Sequence, residues 1–331
     1  MALGGPRGGG KDDYKDAKEL LDKIGEKIQK QVRDEALEHS KSDLQGILSK
    51  ATYSNKPANQ ETPSKASELN YRYHTNVTDG FGKEYPCKDR ADVRFSDKYG
   101  GQCTDTKIKG NDIKNNAGAC APLRRLFLCD QHLSHMKADK IHNKHNLLLE
   151  VCLAAKHEGE LLKGYHDKYR AKYPDTNSQL CTVLARSFAD IGDIIRGKDL
   201  FRGYNEKDRN EKKQLQENLK KIFGKIYEEL KNGKTNSALQ ARYQHDAPDY
   251  YQLREDWWTA NRETVWKAIT CGAPHDSKYF RQTCNYEGTL SDAIHQCRCQ
   301  KKDGKSETDQ VPTYFDYVPQ YLRWFEEWAE D

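Results

Sequence analysis

The sequence has 331 residues, room for two or three cores when single domains most often run to about 100 to 150. It is 35% apolar and 32% charged, with a net charge of +4, against about 45 to 50% apolar and about 25% charged in ordinary globular domains. No run of about 18 apolar residues occurs, which excludes a membrane span, and the thin cores that this composition predicts need some further staple.

The opening MALGGPRGGG has no apolar stretch of the signal-peptide kind. From about Asp12 to Lys50, Leu20, Leu21, Ile24, Ile28, Val32, Ala36 and Leu37 recur at helical spacing among charges of both signs, predicting an amphipathic helix packed on something downstream. Residues 51–67 are rich in Ser, Thr, Asn and Pro and read as a linker or a surface-hugging strap. From Leu69 to Ala119, Gly, Asp, Asn and Tyr are common and helical period is lost, so this is a loop-rich unit held by its cysteines. A helical pattern returns from Pro122, suited to a first helical position, to about Tyr173, with Leu147, Leu148, Val151, Cys152 and Ala155 on its inner stripe. Further helices are expected at Asn177 to Ile195, Glu206 to Leu230 and Tyr250 to Ile269, with enough apolar residues for a bundle. Cysteine-stapled loops follow from Lys278 to Asp309. A last aromatic helix, Val318 to Ala329, stops without a capping glycine and reads as the end of a fragment.

Ten cysteines are present: Cys87, Cys103, Cys120, Cys129, Cys152, Cys181, Cys271, Cys284, Cys297 and Cys299. Zinc sites show paired C-x2-C or H-x3-H spacing, which is missing, so all ten are expected in disulfides and in an oxidising compartment. Spacing leaves their connectivity open.

Candidate chemistry is sparse. His157-Glu158-Gly159-Glu160-Leu161 begins like the zinc-protease H-E-x-x-H but has Leu161 where the second ligand belongs. His132, His135, His142 and His145 fall near one helical face, but Lys137, Lys140 and Lys144 share it, so a solvated basic face is expected rather than a metal site. Phosphate-binding glycine loops and the G-x-S-x-G nucleophile signature are absent, and Glu326 and Glu327 point to different sides of a helix. Neither catalysis nor a cofactor is expected. Asn76-Val77-Thr78 is a glycosylation sequon, a tripeptide frequent by chance. Adjacent Trp257 and Trp258 lie about 100° apart on a helix, so one of them is expected to be exposed or to cover a neighbouring unit.

Charge is concentrated. Between Arg196 and Lys234 there are twelve Lys and Arg against seven Asp and Glu. Lys207, Arg209, Lys212, Lys213, Lys220, Lys221 and Lys225 form either a basic ridge for a polyanion, such as a sulfated glycosaminoglycan or nucleic acid, or a soluble helix face.

Five blocks carry a resemblance: APLRRLFLCD (121–130), NLLLEVCLAAKHEG (146–159), ARSFADIGDIIRGKDL (185–200), REDWWTANRETVWKAITC (254–271) and DYVPQYLRWFEEWA (316–329). Together they closely resemble the alpha-class Duffy-binding-like domain of Plasmodium falciparum erythrocyte membrane protein 1, and the charged stretch before them resembles that family's N-terminal segment. The resemblance implies an all-α Duffy-binding-like fold, with residues 1–68 as the N-terminal segment and 69–331 as the domain. Within the domain, 69–140 would be a loop-rich subdomain, 141–312 a helical bundle and 313–331 the start of a truncated third subdomain. It implies an adhesin head region on the infected red-cell surface, in the extracellular part of a membrane-anchored parent. Its partners would be host erythrocyte receptors, sulfated glycosaminoglycans and antibodies directed at a variant antigen, with no nucleic acid and no membrane of its own. The other possibility is a structural head whose neighbours carry the adhesion.

Overall fold

The computed structural model describes residues 14–54, 61–77, 84–88, 100–112, 114, 118–174, 179–232, 241–286, 289–300 and 310–330. It is mainly helical. Helix α1 spans Ala17–Leu44, and its inward stripe is centred on Asp22, Gly25 and Gln29, with Leu21, Ile28 and Val32 half-buried beside them. Leu20 and Ile24 stay exposed, while the side chains of Ala36 and Leu37 lie outside the described residues.

The helix seats through polar contacts. Asp22 is fully buried and accepts hydrogen bonds from Tyr314 N (2.7 Å), Thr313 Oγ1 (3.2 Å), Tyr279 OH (3.3 Å) and Arg281 Nε (2.6 Å). Gly25 packs on the backbone of Tyr314, where any Cβ would run into the carbonyl. At the far end Gly46 N donates to Asn261 Oδ1 (2.6 Å), and Asn261 Nδ2 donates to Leu44 O (3.0 Å). These exchanges satisfy backbone groups that the end of α1 leaves open.

The strap expectation for 51–67 is met where that segment is described: Thr52 bonds Asn146, and Thr62 Oγ1 donates to Ala51 O. Asn76 of the sequon is buried and its Nδ2 donates to Thr52 O (2.8 Å), so that amide is occupied; Thr78 lies outside the described residues.

The continuous helix expected from Pro122 to Tyr173 is instead three pieces: α2 Leu123–Leu126, α3 Gln131–Ser134 and α4 Lys144–Lys172. Pro122 caps α2 from an extended conformation and does not start a long helix. The signal passed over is Asn143, whose side chain accepts from His145 N and Asn146 N and starts α4 as an N-cap. Cys129, between α2 and α3, is tied to Cys87, and His132 of α3 is drawn inward onto Glu150, so the chain follows tertiary contacts over helical period.

Helices α5 (Leu180–Arg196), α6 (Glu206–Asn232) and α7 (Tyr251–Ile269) follow the sequence pattern. Helix α5 is buried along its whole length and ends at Gly197, whose φ of +78° is the left-handed C-cap that favours glycine. Helix α7 packs on α4, α5 and α1 and so sits at the centre of the bundle. Trp257 meets Phe223 of α6 on one side and Trp258 meets Phe188 of α5 on the other, so both adjacent tryptophans are buried. A short antiparallel hairpin, β1 (Cys284–Tyr286) and β2 (Thr289–Ser291), pairs Cys284 with Ser291, and α8 spans Gln320–Glu330. A second, smaller core of Ile108, Ala121, Leu126, Phe201 and Trp324 lies under the loop-rich unit.

Eight cysteines form four bridges: Cys87–Cys129, Cys103–Cys120, Cys181–Cys297 and Cys284–Cys299. The expectation that all ten are bridged is corrected at Cys152, buried in α4, and Cys271, half-buried just past α7, which remain thiols. Burial pushes both thiols above the ordinary cysteine range, and a suppressed thiolate is a poor nucleophile for disulfide exchange.

A buried ionic lattice joins α2, α5 and α8. Arg124 grips Glu327 with two bonds of 2.8 Å and reaches Asp190 at 2.8 Å. Arg323 holds Asp190 (2.7 Å) and Asp193 (2.6 Å), and Arg186 holds Glu326 (2.8 Å). Arg262 of α7 grips Asp316 with two bonds of 2.8 Å. Burial raises the Asp190 carboxyl, but Arg124, Arg323 and Arg125 outweigh it and bring the group down to about 2.

Candidate functional site

Helix α6 presents the basic segment, with Leu215, Leu219, Ile222, Phe223, Ile226 and Leu230 fixing which side faces the bundle. The remaining surface divides at 100° per residue, and the seven candidate cations do not share it. Arg209, Lys213 and Lys220 fall on one flank; Lys207, Lys221 and Lys225 fall on the other. Lys212 turns toward the protein, paired with Asp130 and with Asp208 (3.6 Å).

Carboxylates and carbonyls already hold several of them. Lys220 pairs with Glu217 (3.1 Å) and Asp249 (2.8 Å), and those groups raise its pKa. Lys225 donates to the carbonyls of Ala138 and Ile141, and Lys207 lies 3.8 Å from Glu211 on the open surface. Among the described residues, Arg209, Lys213 and Lys221 make no side-chain hydrogen bond or ion pair.

A cavity of about 940 Å³ opens on the Arg209 flank, between the loop from Asp105 to Asn111, the segment around Phe201 and the first turns of α6. The Ile108 to Phe201 backbone bridge and the bonds Lys109 N to Leu200 O (2.8 Å) and Arg202 N to Lys107 O (2.7 Å) build its wall. Arg202, Arg209 and Lys213 line it, with Asp105, Glu206 and Glu217 interspersed. Arg202, exposed and without a side-chain partner among the described residues, was not distinguishable in the sequence, because only the loop pairing brings it beside Arg209. Lys109 also lines the cavity; its Nζ donates to Asp199 O (2.8 Å), and burial lowers its pKa.

The other candidates carry structure. The four histidines do not form a solvated basic face, because residues 135–143 are not helical. His132 is buried with Nε2 2.6 Å from Glu150, whose carboxylate also accepts from Thr75 Oγ1 and Asn76 N. His145 Nδ1 accepts from Ile47 N. His157 lies 3.0 Å from Glu160 and edge-on to Tyr71, while Glu158 is buried and accepts from Cys129 N and Ser187 Oγ. Among the described residues no cluster of His, Cys, Asp and Glu is placed to hold a metal, and no helix is long and apolar enough to cross a membrane.

The family model for the Duffy binding domain matches residues 118–323, and the model for N-terminal segments of PfEMP1 matches residues 16–52. The chain is similar to the solved NTS-DBL1-alpha and CIDR-gamma double domain of PfEMP1 from the Plasmodium falciparum varO strain, with 36% identity and a TM-score of 0.78 over 96% of this chain and 43% of that one. It is also similar to the NTS-DBL1(alpha-1) domain of the same strain (34% identity, TM-score 0.67, 96% and 62%) and to a DBLbeta domain of PfEMP1 bound to ICAM-1 (27% identity, TM-score 0.67, 96% and 67%). The chain spans less than two thirds of the length of the first two. No curated protein sequence matches it.

Proposed function

The chain belongs to the Duffy binding domain family, headed by an N-terminal segment of the PfEMP1 kind, and from that premise we propose that it is an adhesive head region on the surface of infected red cells. It holds host red-cell receptors and heparan sulfate-like glycans there. Duffy-binding-like domains of PfEMP1 are adhesion domains, not enzymes. A relative in complex with ICAM-1 supports a host surface molecule as partner. The observation that carries the glycan part is the set of Arg202, Arg209 and Lys213 on and beside the first turns of α6, whose side chains make no ion pair among the described residues, cations available to sulfate groups at no cost in existing ion pairs.

The test is binding of the non-reduced chain to immobilised heparin and to human erythrocytes from low to high salt. Glycan contacts made by exposed cations weaken steeply as salt rises. Heparin binding that stays flat across the titration would remove the glycan assignment. If neither surface binds, the reading left is a structural head whose neighbouring domains carry the adhesion.

A further inference from the structure

Of the four cations on and beside α6 that have no side-chain partner among the described residues, three line one cavity. Arg202, Arg209 and Lys213 line it, while on the opposite flank Lys221 is accompanied by Lys207, 3.8 Å from Glu211, and by Lys225, already bound to carbonyls. A continuous track along α6 is therefore not what the side chains offer: a ligand lying along the helix would have to break Lys220 from Asp249 and Lys212 from Asp130. We infer that this cavity is the glycan subsite and that it takes a short sulfated segment, a few sugar residues long. The inference rests on the glycan assignment proposed above.

Three properties of the cavity favour that ligand. Its volume of about 940 Å³ is at the upper end of the roughly 300 to 1,000 Å³ of small-ligand sites, suited to an oligosaccharide and too small for a long chain laid lengthwise. Its lining sets Arg202, Arg209 and Lys213 among Asp105, Glu206 and Glu217, while Asp130 and Asp199 in the same wall are already engaged by Lys212 and Arg125. Sulfates would meet the cations while sugar hydroxyls donate to the carboxylates, whereas an uninterrupted polyanion would be repelled by them. Among the described residues it also offers no exposed ring for a nucleobase. Phe201 is buried and its ring is flanked by Arg125 at 5.1 Å and Lys212 at 5.4 Å, and stacking platforms are what single-stranded nucleic acid requires.

The experiment compares the chain with two variants, Arg202→Glu with Lys213→Glu in the cavity and Lys207→Glu with Lys221→Glu on the opposite flank. Among the described residues Arg202, Lys213 and Lys221 lack side-chain partners and Lys207 has only the distant Glu211, so melting by circular dichroism should be unchanged in both variants. The probes are a labelled heparin tetrasaccharide and full-length heparin, with oligo(dT) as competitor. Three contacts predict a log-log salt slope of about −2 to −3, against about −5 to −6 for a seven-cation ridge. The tetrasaccharide should bind, the cavity variant should weaken it at least about tenfold, and the flank variant should stay within about twofold. A tetrasaccharide that fails to bind while long heparin does, or an equal loss in the flank variant, overturns the cavity and leaves the glycan assignment standing. If no form of heparin binds, the glycan assignment itself fails. Displacement of heparin by lower concentrations of oligo(dT) would make the site one for nucleic acid and overturn the inference.

Discussion

Replacing Asp22 by Ala tests the seating of the N-terminal helix on the rest of the fold. The wild-type carboxylate is fully buried, accepts from a backbone amide, two hydroxyls and Arg281 Nε, and has no water-exposed route to satisfy them otherwise. Truncation leaves the Arg281 guanidinium, itself only 10% exposed, with the more exposed Glu26 at 3.3 Å as its remaining charge partner. Breaking such a pair from one side costs about 3 to 5 kcal/mol. With an unfolding entropy of about 2.1 cal/mol/K per residue, that is a fall of about 4 to 7 °C in melting temperature for a chain of this length. The assay is thermal unfolding of the non-reduced protein by circular dichroism, with a double-mutant cycle adding Arg281→Leu. The double variant should recover part of the loss, since it removes the half-paired, largely buried cation along with its partner. A shift below about 1 °C for Asp22→Ala, or a double variant less stable than the sum of the singles, would refute the reasoning that this carboxylate keys α1 in place.

Gly25→Ala should also unseat α1, because the added methyl meets the Tyr314 carbonyl; the expected loss is about 1 to 3 kcal/mol, read as faster protease release of the N-terminal segment. Thiol titration of the denatured, non-reduced chain should give two thiols, from Cys152 and Cys271, and none would mean a fifth bridge; in the native protein half-buried Cys271 should label slowly and Cys152 not at all. Asp190, held at about 2 in the fold against about 3.9 unfolded, contributes stability that is complete above its unfolded pKa and is lost as pH falls from about 4 toward 2. An acid-unfolding profile that is flat across that window would contradict the lattice around Arg124 and Arg323.

Much of the helical scaffold was legible in the sequence because its helices are long and amphipathic. Helices α5, α6 and α7 were found within a few residues, since Gly197 and the apolar period mark them without help from tertiary contacts. The run after Pro122 was misread because Cys129 and His132 are pulled to partners distant in sequence, Cys87 and Glu150, and such contacts leave no periodic trace. The ionic lattice was invisible for a related reason. Glu326 and Glu327 were rightly kept from one shared site, but their arginine partners, Arg186 and Arg124, lie at sequence separations of 140 and 203. At the candidate site the sequence supplied the charges and not their arrangement. Seven cations read as one ridge, yet the helical repeat splits them across two flanks, and Asp130, Glu217 and Asp249 engage two of them. Arg202 entered only through the pairing of Ile108 with Phe201.

The most direct test of an adhesive, glycan-holding head is flow cytometry of the labelled, non-reduced chain on human erythrocytes, untreated and after heparan sulfate lyase digestion, at physiological salt. The account predicts saturable binding that reduction of the four bridges abolishes and that lyase digestion substantially lowers. Saturable binding untouched by the lyase would contradict the glycan assignment, and no binding to untreated cells would contradict an adhesive role for this head.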